Sequence, residues 1–275
     1  MPRRHCGALA ALGALAVLGA AGYGVLWPLR LATGWQLVDT IDLPRPDSLA
    51  LDKDGRPRYV TTQTRPGRLL ELTATGPRVV FGDFGEPDGL LLGPGTVIVT
   101  EEEDDGRVME YDLANATVRV LGRMNSPEGV LRRADGSLLV AQDQPQGHLW
   151  LLREGAAPVS LVDGLDRPEG LCTLPDGRIG IAESGRGRIL AWGPAGLQTL
   201  AGDLDGIDQL ACGADGSLWA VISQNRSGEL VRIKDGRRQV IARHLRQPQG
   251  IALAPDGGLY LAETGADRLL HLVPR

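Results

Sequence analysis

Five acidic residues and one glutamine recur through this chain of 275 residues at nearly constant spacing. Asp47, Asp88, Glu128, Glu169, Asp208 and Gln249 lie 41, 40, 41, 39 and 41 residues apart. Each is the second residue of a short motif, as in Pro87-Asp88-Gly89-Leu90, Pro168-Glu169-Gly170-Leu171 and Pro248-Gln249-Gly250-Ile251. Carboxylates gathered from such positions onto one axis repel one another, and some must stay protonated unless a counter-charge is supplied. A hard divalent cation relieves that repulsion. Ca²⁺, which takes about 6–8 oxygens, suits the set best, with Zn²⁺ or Mn²⁺ as alternatives. A carboxylate beside such a cation can also serve as general base toward a bound water. The competing reading is that these acids accept hydrogen bonds from neighbouring backbone while water fills the axis.

The spacing that aligns the acids is also the period of the whole chain, and periods of roughly 20–50 residues mark repeat architectures. Within each unit a short apolar strand leads to a turn at Asp54-Gly55, Pro94-Gly95, Asp135-Gly136, Asp176-Gly177, Asp215-Gly216 or Asp256-Gly257. Such turns between apolar runs are hairpin signals, because glycine accepts positive φ. A second strand follows (Ile179-Gly180-Ile181-Ala182), then a third (Arg188 to Trp192) and a fourth (Pro158 to Val162 in its own unit). Four strands in about 40 residues describe a propeller blade. The last unit ends after its third strand. Trp35 to Asp39 matches the register of Val159 to Asp163, so the N-terminal segment is expected to supply the missing outer strand. The fold class is therefore all-β, a six-bladed β-propeller over residues 34–275. In a propeller the start of each innermost strand faces the central opening, which brings the six recurring residues together.

The last unit, Gln247 to Gly265, resembles the NHL repeat, and Asp105 to Asp112 through Glu128-Gly129-Val130 resembles the strictosidine-synthase-like signature. Gly206-Ile207-Asp208-Gln209-Leu210 followed by Asp215 to Ala220 is similar to the fifth blade of the senescence-marker-protein/gluconolactonase family. That family implies a divalent cation on the ring axis, held by an acid from the first blade, asparagines from middle blades and an aspartate from the fifth. Asp47 and Asp208 match the first and last of these, while Glu128 and Glu169 stand where asparagine is usual. The resemblance thus implies Asp47, Glu128, Glu169 and Asp208 as metal ligands, with Asp208 as the general base. Asp88, Gln249, Glu101, Glu183 and Glu263 are expected to surround them; the last three stand six residues after their turn glycines, in a series with Thr61, Gln142 and Ile222. The position matching the catalytic glutamate of strictosidine synthase is Gln249, which disfavours that condensation.

Other chemistry is thinly represented. The four histidines, His5, His148, His244 and His271, miss every ring position, so the proton relay of paraoxonase-type lactonases is not expected. There is no nucleophile elbow, P-loop or Cys/His zinc cluster. A net charge of -5 argues against nucleic-acid binding. The run Glu101-Glu102-Glu103-Asp104-Asp105 reads as a solvated loop that makes one face acidic, suited to metal ions or cationic ligands. Cys172 and Cys212 sit at offsets of different parity and are read as free, buried thiols. His244 is read as a loop residue.

Residues 1–33 read as a membrane anchor. Met1-Pro2-Arg3-Arg4-His5 is basic, Cys6 to Leu29 is uncharged over 24 residues, and Trp27 and Arg30 stand at the expected interface. A span needs about 20 apolar residues, and the basic flank places the propeller on the periplasmic or extracellular side. A cleaved signal peptide is the alternative, given Gly19-Ala20-Ala21-Gly22. Two functions fit these residues: a metal-dependent hydrolase of a small lactone or ester, or a non-catalytic platform that binds a protein or envelope component through its acidic face.

Overall fold

The computed structural model describes residues 28–224 and 227–275 and consists of six antiparallel sheets arranged as a closed ring. The innermost strands are Pro46–Leu51, Pro87–Gly93, Pro127–Arg132, Pro168–Thr173, Ile207–Cys212 and Pro248–Leu253. Each touches the next around the ring, and the sixth touches the first. Blade six is completed from the other end of the chain. Trp35–Asp42 pairs with Arg268–Pro274 in the register Gln36↔Val273 and Ile41↔Leu269, as the sequence predicts. The six turn glycines all adopt φ between 76° and 85°, which explains their recurrence.

Alternation along each strand sends one set of side chains to each face, so every blade buries apolar residues against both neighbours. Six separate clusters result, one per interface. Ile98 and Val108 of blade two meet Val130 and Val140 of blade three; Leu49 and Val60 of blade one meet Tyr260 and Leu269 of blade six.

The chain joins the propeller earlier than residue 34. Arg30–Leu31 adds a fifth strand to the outer edge of blade five, with Arg30↔Arg243 and Leu31↔Ala242. The N–H of Ala32 donates to the carbonyl of Ile241 (2.8 Å), and Nδ1 of His244 donates to the carbonyl of Pro28 (3.0 Å). Leu29 and Leu31 pack on the cluster between blades five and six. Arg30 is thus a strand residue rather than an interfacial anchor, and His244 lies within the strand Arg237–Leu245, not in a loop. Most of the apolar run, with its alternative cleavage site, lies outside the described residues. Among the described residues no helix is long and apolar enough to cross a membrane.

Cys172 and Cys212 form a disulfide, contrary to the free thiols expected. The parity argument was applied in the wrong sense. Neighbouring blades pack with opposite faces in contact, so past the bulges two residues on adjacent innermost strands face each other across the seam when their offsets differ by one. Cys172 is the fifth residue of its strand and Cys212 the sixth of the next.

Candidate metal centre

Every innermost strand opens with a β-bulge. Pairing with the second strand shifts between Pro46 and Leu49, Pro87 and Leu90, Pro127 and Val130, Pro168 and Leu171, Ile207 and Leu210, and Pro248 and Ile251. The six recurring residues sit inside these shifts, which release them from the ladder and re-aim their side chains. The glycine that follows is fixed by crowding. A Cβ on Gly89, Gly129 or Gly250 would lie 2.2, 2.3 or 2.4 Å from the carbonyl oxygen of Glu128, Glu169 or Asp47 in the next blade. Threonines on the second strands tighten the same seam: Oγ1 of Thr100 donates to the carbonyl of Glu128 (2.7 Å) and Oγ1 of Thr61 to that of Asp88 (3.2 Å).

Of the four predicted ligands, Glu128, Glu169 and Asp208 converge, with one carboxylate oxygen from each within 4.8 Å of the others. They come from three consecutive blades. Ca²⁺ binds oxygens at about 2.3–2.6 Å, so small side-chain shifts bring all three carboxylates into its coordination range. Asp47 lies outside this group. It is 1% exposed, and neither of its carboxylate oxygens has a hydrogen-bond partner.

Two neutral amides serve the triad. Gln209 replaces the crowded glycine in blade five, and its Nε2 donates to Oε1 of Glu128 (3.1 Å). The amide nitrogen of Gln249, in the orientation that satisfies both ends of its side chain, donates to both oxygens of Asp208 (2.8 and 2.5 Å).

The structure adds two acids that sequence reasoning passed over. Glu102 and Asp143 follow the second strands of blades two and three, and with Glu128 they form another triad within 4.8 Å. Their backbone N–H groups donate to the carbonyls of Glu86 (2.8 Å) and Ser126 (2.9 Å), which precede the ring prolines. Glu102, expected in the solvated loop, therefore turns inward, whereas Glu103 and Asp104 are exposed. The two carboxyl groups face each other, and their contact raises the proton affinity of Glu102 while lowering that of Asp143.

The position one residue earlier does other work. Glu101, Glu183 and Glu263 are fully buried, but each is engaged by arginine and caps a loop. Glu101 holds Arg107 and accepts from the N–H of Gly85 (2.9 Å); Glu183 holds Arg186 and Arg188 and accepts from Asp166 (2.9 Å); Glu263 holds Arg268 and accepts from Arg246 (2.8 Å). They latch each blade to the linker arriving from the blade before it, with their carboxylates taken up by arginine. Thr61 is displaced from this series, because an extra residue in the first hairpin puts Thr62 opposite Pro46.

Burial without compensation defines the electrostatics. Desolvation, followed by the charge of Glu102, pushes Asp47 up to about 8. Desolvation, then the charges of Asp88 and Asp143, does the same to Glu102. Asp88, Glu128, Glu169 and Asp208 are raised well above the usual carboxylate range, by burial first and by a neighbouring charge second: Asp47 for Asp88, Asp143 for Glu169, and Glu169 for Glu128 and Asp208. Two cations oppose this: Arg45, near Asp47, and Arg167, whose Nη1 stands 3.9 Å from Oδ2 of Asp143.

The described histidines are elsewhere. His148 contacts Ser160 and Asp163, and His271 stacks on Tyr260. Past the ring the axis holds a cavity of about 110 Å³ with Leu49, Leu90, Val130 and Ile251 among its lining residues. On the acidic mouth a cavity of about 500 Å³ is lined by Arg45, Gln63, Thr64, Arg65, Gly85 and Glu86.

No family model matches the chain, and no curated protein sequence matches it. Solved structures do match. A gluconolactonase from Xanthomonas campestris superposes with a TM-score of 0.69 at 15% identity, covering 91% of this chain and 98% of that one. The calcium-binding protein regucalcin from Agrobacterium tumefaciens gives 0.65 at 14%, covering 85% and 91%. A catalytically inactive histidine-to-alanine variant of virginiamycin B lyase from Staphylococcus aureus, with quinupristin, gives 0.64 at 14%, covering 88% and 100%. The six-bladed propeller is thus structurally similar to all three groups.

Proposed function

We propose that this chain is a divalent-cation-dependent hydrolase of a small lactone or ester, with the cation held by Glu128, Glu169 and Asp208. The observation that carries the reading is the convergence of these three carboxylates, Glu128 buried and the other two half-buried, in the part of the ring where neutral amides hold two of them in place. Surface acids that only decorate a rim have no need of such support. A bound Ca²⁺ would polarise a carbonyl and acidify a water, the two effects hydrolysis requires.

The chain's own groups supply the rest. Asp208, fixed by Gln249 on both oxygens, would stand beside the cation and serve as base toward its water. Gln209 keeps Glu128 turned toward the axis. Asp47 lies away from the triad and contributes charge rather than coordination. A histidine-dependent lyase reaction is disfavoured, because none of the described histidines reaches the ring. The disulfide supports an extracytoplasmic setting, and the apolar run of Cys6 to Leu29 supports attachment to the cytoplasmic membrane. The docking platform loses part of its basis, since Glu102 faces inward.

Purified protein should contain bound Ca²⁺ or a similar ion and open a small lactone in a chelator-sensitive reaction. Asp208→Asn should lower kcat/KM at least a hundredfold, whereas Asp104→Asn, on the exposed loop, should leave it unchanged. Bound metal with no turnover across lactones and esters would leave the platform standing.

A further inference from the structure

We infer that the mouth binds two divalent cations, the second held by Glu102, Glu128 and Asp143, with Glu128 bridging both. This rests on the first triad being a cation site, and extends it to residues on the opposite side of Glu128.

Geometry gives the first argument. The second triad is as compact as the first, and the two share one residue. A carboxylate has two oxygens and about four lone-pair sites, enough to serve two ions at once. Glu102 and Asp143 also occupy the same place in consecutive blades, each fixed through its backbone N–H.

Unpaired atoms give the second, independent argument. Three carboxylates in the mouth carry buried oxygens with no hydrogen-bond partner: both oxygens of Asp47, Oδ1 of Asp88 and Oδ1 of Asp143. Asp47 and Asp88 are 1% and 5% exposed, and both sit in inner-strand bulges. All three residues belong to blades one to three, the side of the second triad. On the side of blades four to six, Asp208 is held by Gln249 and Glu169 by Ser184. A buried charged oxygen left unpaired is among the costliest features a fold can carry. Of these, Oδ1 of Asp143 belongs to the second triad itself, and a cation there would pair it.

Charge balance agrees. Seven carboxylates line the mouth, from Asp47, Asp88, Glu102, Glu128, Asp143, Glu169 and Asp208, against two arginines. One divalent ion leaves a substantial negative excess, and two nearly remove it.

The test is metal stoichiometry on the purified chain, by elemental analysis and calorimetric titration with Ca²⁺, and by electron paramagnetic resonance with Mn²⁺. Wild type should bind two ions per chain, and the Mn²⁺ form should give an exchange-coupled spectrum, because a shared carboxylate keeps the ions close. Asp143→Asn should reduce the count to one and convert the spectrum to that of an isolated ion, and Glu102→Gln should do the same. Each amide replacement removes a repelling charge, so folding in chelator should be unimpaired. One ion in wild type, lost in Asp208→Asn and retained in Asp143→Asn, would overturn the second site while leaving the first. No ion in wild type would sink both.

Discussion

Stripping divalent ions with a chelator and raising the pH from 5 to 8 should destabilise this protein, the reverse of what paired carboxylates do. Asp47 and Glu102 titrate near 8 in the folded state, against 3.8 and 4.5 without the fold. Between those limits the folded chain holds more protons than the unfolded one, so unfolding releases them and stability falls as pH rises. Asp47 and Glu102 repel each other, so at least one net proton is retained between them. At about 1.4 kcal/mol per pH unit, one proton over this range costs roughly 4 kcal/mol. For a domain of this size each kcal/mol moves Tm by about 2–4 °C, which gives a fall of about 8–16 °C. The acids whose affinity is lowered, among them Asp52, Asp135 and Asp176, act with opposite sign but below pH 4, outside the range scanned. Thermal melts followed by circular dichroism at pH 5, 6, 7 and 8 in chelator are the measurement. Adding Ca²⁺ at a hundred times its Kd should then restore about 2.7 kcal/mol at pH 8 and much less at pH 5. A Tm that is flat or rises with pH in chelator would refute the electrostatic account of the mouth.

Reducing the Cys172–Cys212 bridge, or replacing both residues by serine, should cost up to about 4 kcal/mol, the chain-entropy estimate for a separation of 40 residues; denaturant melts with and without reductant measure it. Removing residues 1–27 should leave Tm unchanged, removal to 33 should lower it by a few degrees through loss of Leu29 and Leu31, and removal to 44 should prevent a cooperative melt, since it deletes Trp35–Asp42 and the buried Leu43. Glu183→Ala should destabilise by about 3–5 kcal/mol, because Arg186 and Arg188 lose their buried partner, with no change in metal content; altered metal binding would return Glu183 to the site.

The architecture was legible because propellers repeat their constraints. Proline before the bulge, glycine at the crowded seam and glycine in the hairpin each answer a local steric demand, and they recur in five, four and all six of the blades. The ring acids were legible for the same reason. Glu102 and Asp143 were not, because a strand reverses its side chains at every residue, and the series through Glu101 and Glu183 is one residue early. The motif offered no warning: Asp143 is followed by Gln144-Pro145, with no neighbouring acid to mark it. The disulfide was hidden by a different gap. Parity within one sheet is readable from sequence, but which faces of two sheets meet depends on how the sheets stack.

The seam between blades six and one is closed at the rim by Trp35–Asp42 and at the axis by glycine-thin contact between Gly250 and Asp47. Blade six lends Gln249 to Asp208 and blade one lends Asp47 to the same axis, so the centre keeps this arrangement while that seam is shut. Ion occupancy and closure are therefore linked reciprocally: whatever stabilises one stabilises the other by the same free energy. Release of a bound ion then competes with opening of the circle itself. The outer strand, at the far end of the blade's radius, governs how long the centre at its inner end stays assembled.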